Sequence, residues 1–341
     1  MSETNQRNKS TARKWWDACD TAAIEDLAGI AEGYLSDEAV WQGFAPLKDT
    51  SGAGDLAAQF LMPLRRAFPD LKRDIHIAMG GVSEGKADDS PDGAHWVGGT
   101  GYLTGTQAGD LWGIPGRGQV VRLRWGEFLE FDADGKIIRI QMLIDVIDWL
   151  EQLGLSPLPT PRGAPFVYPA PTGDVATLWD DQGDASDLLE YGRKFIFGGL
   201  NAFDENNLKS MGMADFFHPN LKWYGPGGIG ACLSFKEFET LHQQPWLVAF
   251  PDRKVGDLDN LIAEGDYVGA SSLPGVWLTH TGPYLGHAPT GKRAGVNGID
   301  FWRYENGRFT ENWVFVDMIH FFDQLGIDLM EKVRHMALLR G

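Results

Sequence analysis

Three ionisable side chains in the C-terminal half stand in runs made otherwise of Trp, Phe, Val and Ile: His280 in VWLTHTG, Asp300 in GIDFWRY and Asp317 in NWVFVDM. A carboxyl on an apolar strand is costly unless it is bonded or used, and desolvation moves its pKa up toward that of a general acid or base. The spacing puts His280 on one strand and Asp300 on the next, where an imidazole and a carboxylate can share a proton. Each has a plainer reading. His280 can be a satisfied core histidine, Asp300 half of a structural ion pair, and Asp317 the N-cap of a terminal helix, which is the preferred reading for Asp317.

The segment joining the first two, GHAPTGKR (Gly286–Arg293), falls one residue short of a P-loop, with Arg293 where Ser or Thr belongs. A P-loop opens a helix. The residues after Lys292 alternate like a strand, so the segment reads as a hairpin. A literal GxGxxG occurs at Gly225–Gly230, but the capping box Ser234-Phe235-Lys236-Glu237 starts the next helix too late for a dinucleotide site. The eight histidines form no HxH or HExxH, the two cysteines form no CxxC, and no GxSxG is present. No cofactor and no metal are expected.

The elements that must position these residues occur twice. Gly135, Asp145 and Gln152 pair with Gly307, Asp317 and Gln324 at a constant offset of 172. Ala67–Asp70 (AFPD) recurs as Ala249–Asp252, and Trp41 pairs with Trp223, at an offset of 182. Trp96 pairs with Trp277 at 181. Four blocks in the same order argue for two homologous domains, 1–156 and 175–341, joined by a proline-rich linker, 157–174. Asp145 then matches Asp317, Glu127 matches Asp300, and the place of His280 falls near Gly99. Each unit runs helix, strand, helix, then a meander of four strands and a short helix, which is α+β. Trp15 and Trp16 lead into the first helix, and Leu188, Leu189, Phe195 and Ile196 mark its repeat.

Composition bounds the partners. The formal net charge is −17, which excludes a phosphate-binding surface of the nucleic-acid kind and disfavours anionic membranes. No apolar run is long enough to span a bilayer, and the N-terminus carries no apolar leader core, so a cytoplasmic chain is expected. Thirteen tryptophans suit a large core or an aromatic cavity.

The run WLTHTGPYLGHAPTGKRA, followed by IDFWRYENGRF and DMIHFFDQLG, resembles the SnoaL-like polyketide cyclases of the NTF2-like superfamily. The resemblance implies two conical barrels, each a curved antiparallel sheet wrapped by helices around an apolar pocket. It also implies cofactor-free acid–base chemistry. The family's catalytic Asp falls on Val314, and on Met142 in the first unit; its second polar group falls on Asp300. The resulting expectation is an enzyme of cyclase, isomerase or lyase type. In it Asp300 acts as acid or base, His280 assists, Asp317 orients, and Trp223, Tyr224, Trp277, Tyr284, Trp302 and Trp313 wall the pocket. Glu127, Asp145, Trp41 and Trp96 are the counterparts in the first unit. The substrate is a small apolar carbonyl compound undergoing aldol cyclisation, isomerisation or dehydration. The alternative is a non-catalytic small-molecule binder. The two units are expected to bury their open sheet faces on each other as an intrachain pseudo-dimer, with further homo-oligomers left open.

Overall fold

The β-branched and aromatic runs of each half form a sheet, and the two sheets repeat one plan. The computed structural model describes residues 3–173, 176–204, 207 and 209–339. The first sheet holds β1 (Leu35–Gln42), β2 (Thr50–Ser51), β3 (Lys72–Val82), β4 (His95–Gln107), β5 (Gln119–Phe131) and β6 (Ile137–Ile144) in the order β2-β1-β6-β5-β4-β3. The second holds β7 (Phe217–Tyr224), β8 (Ala231–Cys232), β9 (Lys254–Val255), β10 (Asn260–Glu264), β11 (Tyr267–Thr279), β12 (Arg293–Glu305) and β13 (Arg308–Val316). Its order is β8-β7-β13-β12-β11-β10, with β9 also on β11. The sheets are mixed rather than wholly antiparallel as expected. Hairpins reverse the chain within each meander, but β1 and β7 reach their sheets before a helical connection and lie parallel to β6 and β13.

The repeated sequence blocks do the same local work in both halves. Asp70 accepts from Thr106 N–H at 2.6 Å and Asp252 from Thr279 N–H at 2.7 Å, so each AFPD turn is tied to the end of a long strand. The glutamine of each QLG pairs its amide with both backbone groups of one strand residue, Gln152 with Arg122 and Gln324 with Gly295. Leu111 bridges Ile114 as Tyr284 bridges His287. The loop before β12 therefore has its counterpart before β5, and Arg293 begins a strand as expected.

Strand register corrects two sequence pairings. Gly99 lies opposite Glu127 as Ala270 lies opposite Asp300, so Ala270, not His280, matches Gly99. Trp96 faces Glu130 where Tyr267 faces Arg303, so Trp96 matches Tyr267 and not Trp277. The connection between β3 and β4, residues 83–94, is ten residues longer than that between β10 and β11, residues 265–266, which accounts for the shift; a bulge between Ser272 and Val276 adds two residues within β11.

The sheets meet face to face. Phe128 stacks on Phe301 with ring centroids 5.1 Å apart, and Ser271 Oγ donates to Gln141 Oε1 at 2.5 Å. The linker lies along this contact: Ala164 bridges Ala231, and Trp313 Nε1 donates to the Pro169 carbonyl at 2.8 Å. Two aspartates lock the halves reciprocally. Asp145 caps its own helix, Val146–Gln152, by accepting from Asp148 N–H at 3.0 Å, and accepts from Gly227 N–H of the other half at 2.8 Å. Asp317 caps Met318–Gln324 through His320 N–H at 3.0 Å and accepts from Ala45 N–H at 2.9 Å. The GxGxxG loop thus serves this lock. A Cβ on Gly227 would sit 2.3 Å from Asp148 N, so the approach requires glycine.

Removing either aspartate should cost about 1–3 kcal/mol, because two buried N–H groups lose their acceptor. Asp317→Ala is expected to lower the urea midpoint, with Asp317→Asn, which keeps one acceptor, falling between. An unchanged midpoint for Asp317→Ala would sink the lock.

Candidate functional site

The C-terminal half encloses a cavity of about 230 Å³ between the inner face of its sheet and the helices that cross it. The sheet supplies Asp300 and Trp302 from β12, Asn312 and Val314 from β13, and Trp223 from β7. The helical segment 235–249 and the turn after it supply Phe238, His242, Trp246 and Arg253. Period-2 alternation decides which strand residues face in, and it sends Trp302 of β12 and Trp313 of β13 to opposite faces, since Trp302 pairs with Asn312 and Trp313 with Phe301.

Asp300 is the central acid. Among the described residues its one hydrogen bond is from Asn312 Nδ2, at 3.2 Å to Oδ1. Burial pushes its carboxyl up to about 7, against a small downward pull from that amide. Asn312 also donates to the Phe301 carbonyl at 3.1 Å, which fixes the amide in place. His242 stacks on Trp223 with centroids 4.0 Å apart and planes at 18°. Burial, and then the charge of Arg253, push the His242 imidazole down to about 3, so it is neutral at physiological pH.

The other residues expected at this site are elsewhere. His280 is not brought to Asp300. Asp300 lies opposite Ala270, and His280 follows ten residues further along, roughly 30 Å of strand away. Its Nδ1 accepts from Thr290 N–H at 3.3 Å and its ring packs on Phe250, while its buried Nε2 makes no hydrogen bond among the described residues, so it is a core histidine only half satisfied. Asp317 faces the lock with Ala45, not the cavity. Burial lifts its carboxyl to about 6, opposed by the N–H groups of His320 and Ala45. Of the six aromatics, Trp223 and Trp302 line the cavity. Tyr224 bonds Glu311, Trp313 reaches the linker, and Trp277 is 44% exposed beneath Arg293. Tyr284 borders a neighbouring space of about 300 Å³, which the linker residues Pro159 to Arg162 help to close and which shares Ile229 and His242 with the cavity.

The same place in the N-terminal half is filled. About 10 Å³ remains beside Glu127 and Trp41. Trp16 Nε1 donates to Glu127, and burial lifts that carboxyl to about 7 against the pull of Arg73. Asp145 is in the lock, and Trp96 packs away from this space, under Arg139. Counting from the shared AFPD turns and the strand register, His242, Arg253 and Asn312 correspond to Phe60, Leu71 and Ile140. Sequence reading missed these three polar residues. The signal was available: they are polar where the repeat is apolar.

Among the described residues, no group of three or more His, Cys, Asp or Glu could hold a metal ion, and no helix is long and apolar enough to cross a membrane.

No curated protein matches the chain. Solved structures similar to part of it include TsrD from Streptomyces laurentii, at 23% identity and TM-score 0.34, with 42% of this chain and 98% of that one covered. AclR, a candidate hydroxylase from Streptomyces galilaeus, aligns at 21% identity and TM-score 0.34 over 42% of this chain and 98% of its own. A candidate SnoaL-like polyketide cyclase from Jannaschia sp. CCS1 aligns at 20% and 0.32 over 43% and 90%. Residues 200–325, the stretch that supplies nearly the whole wall of the Asp300 cavity, match the family described as SnoaL-like polyketide cyclase.

Proposed function

We propose that the chain is a tandem of two SnoaL-like, NTF2-like domains, 1–156 and 175–341 joined by 157–174, whose second domain is a cofactor-free acid–base enzyme. Its substrate is a small, largely apolar carbonyl compound, and its reaction is an aldol cyclisation, isomerisation or dehydration. Asp300 is the acid–base group. The supporting observation is a carboxyl buried in an open cavity, lifted to about 7 and bonded to one amide, with no salt bridge to it among the described residues. Such a group exchanges a proton near neutral pH, which is what abstraction next to a carbonyl needs. Asn312 positions it. The first domain, whose cavity is filled, contributes the lock and the sheet face.

Asp300→Asn is expected to lower turnover on a responsive carbonyl compound by about 10²–10⁴-fold. A panel of 1,3-dicarbonyl and enone compounds, followed by mass spectrometry, supplies that compound. Full turnover by the Asn variant removes Asp300 from the chemistry.

A further inference from the structure

The cavity wall holds one charged group that this chemistry does not use. Arg253 follows the Ala249–Asp252 turn and is 9% exposed. One guanidinium nitrogen donates to the Leu200 carbonyl at 2.8 Å and meets Met211 Sδ at 2.5 Å, and the group lies over the Phe203 ring. These contacts aim it but carry no negative charge. The other two buried arginines among the described residues each have a carboxylate: Arg124 has Asp148 at 2.7 Å, and Arg193 has Asp89. No carboxylate among the described residues pairs with Arg253. Burial alone lowers its pKa, to about 10, so it keeps its charge at neutral pH. Its neighbour His242 is neutral there, which leaves Arg253 as the sole cation among the described cavity-lining residues.

A buried cation without a counter-charge is expensive, and the fold does not require it. The N-terminal half makes the same AFPD turn with Leu71 in that place, beside a filled cavity. The overall charge of −17 also draws no anion toward the chain, so recognition must be local.

We propose that the Asp300 cavity takes a small apolar carbonyl compound that bears one carboxylate group, and that Arg253 pairs with that carboxylate. The carbonyl part rests on the acid–base reading above; the carboxylate part stands on Arg253. A planar guanidinium matches a carboxylate in two parallel hydrogen bonds.

The test compares 2-naphthoate with neutral 2-naphthamide on the full chain, by calorimetry and by quenching of Trp223 and Trp302 emission. Wild type should bind the acid at least 10-fold more tightly than the amide. Arg253→Gln, and Arg253→Leu copying the N-terminal half, should lose that preference while keeping amide binding; Arg253→Lys should keep part of it. Equal affinities in wild type, including no binding of either, overturn the proposal. So does a Gln or Leu variant that weakens both ligands alike, since Arg253 would then only shape the wall. Asp300→Asn should retain the preference for the acid. Full turnover in that variant alongside an intact preference would remove the acid–base reading and leave the carboxylate site standing.

Discussion

Asp300→Asn should unfold at a higher temperature than wild type at pH 8 and at the same temperature at pH 4. The folded carboxyl titrates at about 7, against an ordinary value of 3.8. The folded state therefore holds this proton more tightly than the unfolded chain does. Stability falls as pH rises above about 4, and the loss is complete once pH passes the folded value near 7. Three pKa units correspond to about 4 kcal/mol as an upper bound, which is roughly 10 °C for a domain of this size. Asparagine keeps the shape and carries no charge to desolvate. Glu127 and Asp148 are also raised, to about 7 and about 6, but they titrate in both proteins and cancel in the difference curve. A structural ion pair predicts the opposite sign, with Asp300→Asn less stable at pH 8. A variant that gains stability while losing turnover is the signature of a strained functional group.

Glu264→Gln should cost about 3–5 kcal/mol, because it leaves an ammonium buried with no counter-charge. Lys9, on the helix Glu3–Thr21, places its Nζ 2.5 Å from Glu264 Oε1 on β10, and the pair is 1% and 0% exposed. Gly80 N–H donates to the other oxygen at 2.6 Å, and the Leu178 and Asp180 carbonyls accept from Lys9. One pair thus ties the first helix, β3, the strand-like segment after the linker and β10. Lys9→Met should cost less. Burial already pushes the Glu264 carboxyl up, so without Lys9 it can take a proton. The double variant Lys9→Met with Glu264→Leu should recover most of the loss, since a packed apolar pair has no desolvation cost. Urea midpoints of the three variants decide the matter. If Glu264→Gln unfolds with the wild type, the pair does not hold the halves together.

The repeat carried most of what was legible. AFPD, QLG and the last-strand aspartate are local motifs that close turns and caps within one half, so the same letters give the same bonds twice. The hairpin reading of Gly286–Arg293 and the capping box at Ser234 worked for this reason; Ser234 Oγ accepts from Glu237 N–H at 3.2 Å. His280 failed because the hairpin turns beside it: His280 N–H donates to the Lys292 carbonyl, so Asp300, eight residues further along, pairs far back on β11 at Ala270. Trp313 and Tyr224 failed because both sheet faces are apolar here. One face walls the cavity and the other meets the linker and the facing sheet, so the alternation gives no inside and no outside.

The sequence by itself determined the two-fold plan, the order of elements, the turns and caps, and the presence of an acid at position 300 among apolar neighbours. Those follow from short-range backbone chemistry and from periodicity. Only the tertiary structure decided which half keeps its cavity open, that Asp300 meets Asn312 rather than His280, that Asp145 and Asp317 reach across to the opposite half, and that His242 and Arg253 share a wall with Asp300. Those contacts join residues from 12 to 272 positions apart. They are set by strand register and by how one half packs on the other, which no local run of letters encodes.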